Sequence, residues 1–153
     1  MFNIVLVEPE IPYNTGNIAR TCAATGSILH LVKPLGFSTE DKYLKRAGLD
    51  YWDKVKVVYH ENFYEFSQKY FQGRKFYLST KGKKYYHEIQ YQPGDFLIFG
   101  KETAGLPQEL LDKNGEFTFR IPMLPQIRSL NLANTVAVVV YEALRQLQFP
   151  NFI

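Results

Sequence analysis

The feature that most constrains this chain is a set of short runs that are apolar at nearly every position. A strand with one wet face alternates apolar and polar residues, whereas Ile4-Val5-Leu6-Val7 and Phe96-Leu97-Ile98-Phe99 offer no polar position to water. Strands of that kind need cover on both faces, as in a parallel sheet with crossover helices above and below it. Strands are expected at 3–7, 28–33, 55–59, 75–79, 96–99 and 117–121. Helical spacing places helices at 15–25, 40–47, 62–71 and 108–113, with the longest at 129–148. Gly26 and Gly48 stand where helices should stop, and Ser38 followed by Asp41 reads as a capping box with Asp in place of Glu. The expected fold class is therefore α/β, a mostly parallel sheet flanked by helices.

The last helix carries Leu132, Val136, Val139, Val140, Ala143, Leu144 and Leu147 at spacings of three and four. So broad an apolar stripe must bury more than one face: its plain reading is a terminal helix packed on the sheet, and a sharper one adds a symmetric dimer contact. A chain of 153 residues without a repeat or a linker is expected to be one domain, residues 1–153. The single cysteine, Cys22, excludes an internal disulfide, and His30, His60 and His87 with it form no zinc-type ligand pattern. The run 136–141 is far below the ~20 residues that span a bilayer, and the N-terminus lacks a signal-peptide pattern. A soluble cytoplasmic protein is expected. Its net charge of +3 permits a polyanionic partner without pointing to one.

In open α/β sheets ligands bind beyond the carboxyl ends of the strands. After the first strand comes Asn14-Thr15-Gly16-Asn17-Ile18-Ala19-Arg20, with amides and an arginine in the opening turns of a helix; its plain reading is a cap followed by a solvated arginine. After the fifth comes Phe99-Gly100-Lys101-Glu102-Thr103-Ala104-Gly105-Leu106-Pro107, where two glycines flank one acid and leave backbone open to a flat ring. After the sixth, Ile121-Pro122-Met123-Leu124-Pro125 leads into Arg128-Ser129-Leu130-Asn131-Leu132-Ala133-Asn134, a stiff strand exit followed by short polar side chains at a helix start. Leu78-Ser79-Thr80-Lys81-Gly82 follows the fourth strand. Neither GxGxxG nor GxxxxGK[ST] occurs. Together the four segments outline one pocket.

These segments closely resemble the SPOUT class of RNA methyltransferases. Asn14 to Arg20 (NxGNIxR), Phe99 to Pro107 (FGxExxGLP) and Ile121 to Asn134 (IPM…RSLNLAN) match, in order, the three motifs of its ribose 2′-O-methylating group. The opening Glu8-Pro9-Glu10-Ile11-Pro12 and the Arg46-Ala47-Gly48-Leu49-Asp50-Tyr51 stretch are similar to the subgroup that methylates the tRNA wobble nucleotide, cytidine or uridine at position 34. The resemblance implies S-adenosylmethionine as cofactor, a C-terminal trefoil knot, a homodimer, and the tRNA anticodon region as partner, with no metal. By motif position it places the cofactor on Leu78, Thr80, Gly100, Ile121, Met123, Ser129 and Leu130. It gathers Asn14, Arg20, Glu102, Ser129 and Asn131 around the transferred methyl.

A ribose hydroxyl is a poor nucleophile, so alignment of its oxygen with the methyl–sulfur axis is expected to carry much of the rate, up to roughly 7–11 kcal/mol of barrier. A guanidinium has no acceptor and a pKa above 12, so Arg20 is read as the group that binds the adjacent phosphate, with water or another polar group taking the proton. Lys42, Lys45 and Arg46 share a helical face, and Lys81, Lys83 and Lys84 flank Tyr85 and Tyr86. These are candidate RNA contacts, by phosphate neutralisation and base stacking, or else solvated faces. Two alternatives stay open, ribosomal RNA as substrate and a nucleotide- or RNA-binding module without catalysis.

Overall fold

The computed structural model describes residues 1–48 and 51–153. Seven strands form one sheet in which every pair is parallel: β1 (Asn3–Val7), β2 (Ile28–Val32), β3 (Val57–His60), β4 (Lys75–Leu78), β5 (Lys84–Tyr85), β6 (Phe96–Phe99) and β7 (Thr118–Arg120). Their order is β3-β2-β1-β6-β4-β7-β5. The helices are α1 (Pro12–Thr25), α2 (Lys42–Gly48), α3 (Phe63–Lys69), α4 (Gln108–Lys113) and α5 (Leu132–Gln146).

The all-apolar strands are explained by what lies on each side of them. Ile4 and Leu6 of β1 join α1 residues Ile18 and Cys22 and α5 residues Val136, Val140 and Leu144 in one core. Val5 and Val7 of the same strand face a second core with Phe66 of α3 and Leu111 of α4. Successive side chains of a strand point to opposite faces, so both alternations must be apolar. Five residues of α5, Val136, Val139, Val140, Ala143 and Leu144, are wholly buried. At about 1.5–3 kcal/mol for each larger aliphatic side chain, their burial anchors the chain end to the sheet. No helix of the described residues is long and apolar enough to cross a membrane.

Several expected boundaries move, each for a local reason. The helix expected from Thr15 begins at Pro12, where proline's missing N–H costs nothing, so Asn14 and Thr15 lie inside it and do not cap it. Gly26 ends it in the left-handed region, at φ 67°. The capping box at Ser38 is absent: Asp41 Oδ1 accepts from the Tyr43 N–H (2.8 Å) at the start of α2, and Ser38 Oγ accepts from the Glu40 N–H (3.1 Å) in the preceding turn. This helix runs to Gly48, and Leu49 and Asp50 of the Arg46-to-Tyr51 stretch lie outside the described residues. Asn62, expected inside α3, is its N-cap, and Phe71 lies beyond its end. Ser129 precedes α5 by two residues outside its Asn131 cap. The short β5 pairs with β7 and leaves no sign in the sequence, because two residues carry no periodicity.

Candidate active site

Four carboxyl-terminal strand ends, those of β1, β6, β4 and β7, open into one cleft of about 520 Å³. The chain runs outward from β1 to β2 and β3, then returns to the other side of β1 to lay down β4, so the cleft sits where strand order reverses. A crevice forms there because the connections leave in opposite directions. Its walls carry Leu78, Thr80 and Lys81 from beyond β4, Gly100 to Leu106 from beyond β6, and Ile121, Met123 and Arg128 to Asn131 from beyond β7.

The walls are largely backbone. Gly100 follows β6 with no room for a side chain, since a Cβ there would lie 2.1 Å from the Gly105 carbonyl carbon and 2.2 Å from the Leu106 nitrogen. The loop closes on itself through a bridge in which the Gly105 N–H donates to the Lys101 carbonyl at 2.9 Å, with Gly105 at φ 68°. Residues 121–131 take no helical or strand pairing apart from one turn, Ile127 N–H to Leu124 carbonyl at 3.1 Å.

At the lip of the cleft three side chains form a directional chain. Asn131 Oδ1 accepts from the N–H groups of Ala133 (2.9 Å) and Asn134 (3.2 Å), capping α5, which fixes its Nδ2 to donate to Asn14 Oδ1 at 3.1 Å. Asn14 must then turn its own Nδ2 to Glu102 Oε2, 3.3 Å away. Glu102 in turn accepts from the Glu10 N–H (2.9 Å) and the Ile11 N–H (2.7 Å). Its carboxylate therefore satisfies amides at the start of α1 that no local side chain caps, where the positive end of the helix favours an anion. Backbone partners fix Asn131 and Glu102 at the two ends, and Asn14 is oriented between them, so the chain admits one assignment.

Of the candidates around the methyl, Asn14, Glu102, Ser129 and Asn131 line the cleft; all seven cofactor candidates, Leu78, Thr80, Gly100, Ile121, Met123, Ser129 and Leu130, line it too. Arg20 does not. It lies exposed on α1 with its guanidinium 4.8 Å from the Tyr51 ring centroid. Among the candidate RNA contacts, Lys81 lines the cleft, and its Nζ donates to Gln108 Oε1 at 2.8 Å. Lys84 Nζ donates to the Glu116 carbonyl at 3.0 Å, Lys45 pairs with Glu40 at 2.9 Å, and Lys42 stands over the Tyr43 ring. Arg46 and Lys83 are exposed. Cys22 is buried, which pushes its thiol up to about 12 and removes it as a nucleophile.

Residue-level reading missed Arg128 and Ile11, which line the cleft, and the role of Glu10. Arg128 stands inside the third motif and so carried a usable signal. Glu10 and Ile11 belong to the opening stretch that carries the subgroup resemblance, but nothing local points to the role of Glu10, because its partner is 93 residues away in sequence. Among the described residues no group of three or more His, Cys, Asp or Glu side chains is placed to hold a metal ion.

Comparison with known proteins adds to this geometry. The profile of the SpoU rRNA Methylase family matches residues 1–141. A tRNA (cytidine(34)-2′-O)-methyltransferase of Saccharophagus degradans is 55% identical, over 97% of this chain and 97% of its own. One of Escherichia coli K12 is 52% identical, over 98% and 96%. A solved structure concerned with 2-OH methylation of C/U34 on tRNA superposes with a TM-score of 0.92 at 47% identity, covering 97% of both chains. An AdoMet-bound rRNA methyltransferase from Sinorhizobium meliloti superposes at 0.84 with 26% identity, covering 95% of this chain and 56% of its own.

Proposed function

Because the chain belongs to the SpoU rRNA Methylase family, we propose that it transfers a methyl group from S-adenosylmethionine to the ribose 2′-oxygen of nucleotide 34, cytidine or uridine, in the tRNA anticodon. The observation that carries this reading is the hydrogen-bonded chain from Asn131 through Asn14 to Glu102, which joins one residue of each motif at the mouth of one cleft. The names of the relatives from S. degradans and E. coli support the choice of tRNA over ribosomal RNA.

The cleft suits such a cofactor. Its volume of about 520 Å³ falls within the roughly 300–1,000 Å³ of small-molecule pockets. Its walls combine apolar Leu78, Ile121 and Met123 with polar Thr80, Ser129 and Arg128, the mixture that a flat ring and a charged amino-acid tail require. We assign Leu78, Thr80, Gly100, Ile121, Met123, Ser129 and Leu130 to hold it. When bound, it supplies a methyl on a positively charged sulfur.

The chain's own residues align the acceptor. Asn131, locked by the backbone N–H groups of Ala133 and Asn134, and Asn14, held between Asn131 and Glu102, define a rigid polar lip, so little reorganisation is left for the reaction itself. Ser129, exposed beside them, orients the ribose hydroxyl, whose proton goes to water or another polar group. Glu102 holds Asn14 in place. Arg20 binds the phosphate next to the target ribose, since a guanidinium forms charge-assisted pairs with phosphate and accepts no proton. Its position outside the cleft of its own chain supports a homodimer in which Arg20 serves the partner's cleft. Under the same reading residues 1–153 are one domain, its C-terminal third threads a trefoil knot, and Lys42, Lys45, Arg46, Lys81, Lys83 and Lys84 contribute to the RNA surface.

Incubation with methyl-labelled S-adenosylmethionine and tRNA, followed by mass spectrometry of nuclease digests, tests the reading. Label should appear at nucleotide 34 and vanish with a 2′-deoxy nucleotide there. Label in ribosomal RNA alone would move the substrate to the ribosome. Donor binding without transfer to any RNA would leave only a binding module.

A further inference from the structure

Two carboxylates pointing in opposite directions stitch the segment between β1 and α1 to the loop after β6. Glu102 accepts from the N–H groups of Glu10 and Ile11, and in return Glu10 Oε1 accepts from the N–H of Thr103 (3.0 Å) and from its hydroxyl (2.7 Å). Lys101 Nζ stands 3.7 Å from the Glu8 carboxylate along the same seam. The segment cannot retreat on its other side. The Gly36 N–H donates to the Pro9 carbonyl at 2.9 Å, and a Cβ at Gly36 would come within 2.8 Å of the Glu10 Cα. Glu8 is held at φ 54°, a conformation a non-glycine residue keeps only where its surroundings impose it.

We infer that Glu10 is a positioning residue for methyl transfer: by holding Thr103 it fixes the Glu102 carboxylate and, through it, the Asn14 and Asn131 amides at the acceptor side of the cleft. The inference rests on the function proposed above. The bonds from Thr103 hold the Glu10 carboxyl below the usual carboxylate range, so it is an anion at neutral pH. The donor side of the loop has a separate fastening, the Lys101–Gly105 bridge. Loss of Glu10 should therefore disturb the acceptor side and spare the donor side.

Three measurements on the full-length protein test this. In Glu10→Ala, kcat per donor-binding site should fall about 10- to 30-fold, while the Kd for S-adenosylhomocysteine stays within twofold. Glu10→Gln, whose amide oxygen still accepts from Thr103, should recover most of the loss. Glu10→Ala added to Glu102→Gln should cost nothing further, because both act through one carboxylate. By hydrogen exchange, which needs no activity, the Ile11 amide of Glu10→Ala should lose protection at least fivefold, while the Gly105 amide stays within twofold. Unchanged Ile11 protection, a kcat within twofold of wild type, or a parallel loss of donor affinity would each overturn the inference. A wild-type protein that methylates no RNA refutes the proposed function instead, and the exchange result still decides the clamp.

Discussion

Replacing Gly100 with alanine isolates how much of the cleft depends on backbone touching backbone. The added methyl would lie 2.1 Å from the Gly105 carbonyl carbon, 2.2 Å from the Leu106 nitrogen and 2.6 Å from the Gly105 oxygen. Carbon atoms rest at about 3.5–4.0 Å, so the loop would have to retreat by more than an ångström. No side chain can swing aside, since all three obstructing atoms are main chain. Overpacking of this kind costs about 1–3 kcal/mol, and breaking the Gly105-to-Lys101 hydrogen bond adds about 1 kcal/mol. At about 2–4 °C per kcal/mol for a chain of this size, Tm should fall by roughly 5–15 °C. Displacement of the cleft wall should also weaken S-adenosylhomocysteine by at least tenfold in calorimetry. Gly115→Ala is the matched control: nothing lies within 4 Å of its Cβ, so it should leave Tm within 2 °C and donor affinity unchanged. A Gly100→Ala protein with wild-type Tm and wild-type donor affinity would refute the close-approach account of the loop.

Glu102→Ala removes the acceptor of two backbone amides at the start of α1 and should lower stability by about 1–3 kcal/mol in denaturant titration, with kcat reduced more than donor affinity. Asn131→Ala loses both the α5 cap and the bond to Asn14; a cost of about 1–2 kcal/mol is expected, together with an Asn14 side-chain amide that exchanges faster by NMR. His30 lies buried against His60, its Nδ1 3.0 Å from His60 Nε2 and its Nε2 2.9 Å from Asn3 Oδ1. Burial first, then the neighbouring His60 and the charges of Lys69 and Lys56, lowers its pKa to about 3. The unfolded chain therefore takes up a proton near pH 6.5 that the folded one refuses, so this contribution is fully present above that pH and is lost as pH falls toward 3. The gap in stability between wild type and His30→Gln should shrink or reverse on acidification from pH 7 to 4, and a constant gap across that range would contradict the buried neutral pair.

Much of the architecture was legible in the sequence because burial on both faces leaves a mark at every strand position. β6 is apolar throughout and β1 from Ile4 to Val7, and both fall where that mark places them. The cleft was legible for a related reason: in a parallel sheet all strands end on one edge, so motifs following successive strands must converge. What could not be read depended on distant partners. Proline at the first position is a local reason for α1 to begin at Pro12, but the acceptor for the Glu10 and Ile11 amides ahead of it, Glu102, lies 92 and 91 residues away, which no local capping rule can foresee. The two-residue β5 forms because β7 presents an open edge to it.

Local chemistry, then, settled the class of fold, the sheet edge on which the cleft opens and most of the side chains along that edge. Periodicity and turn propensity act within a few residues and survive in any context. Tertiary structure alone decided the direction of each amide in the Asn131–Asn14–Glu102 chain, the return grip of Glu10 on Thr103, and the separation of Arg20 from the cleft of its own chain. Those depend on ångström-scale closure between segments some ninety residues or more apart, and hydrogen bonds of that reach are fixed only once the sheet has brought the segments together.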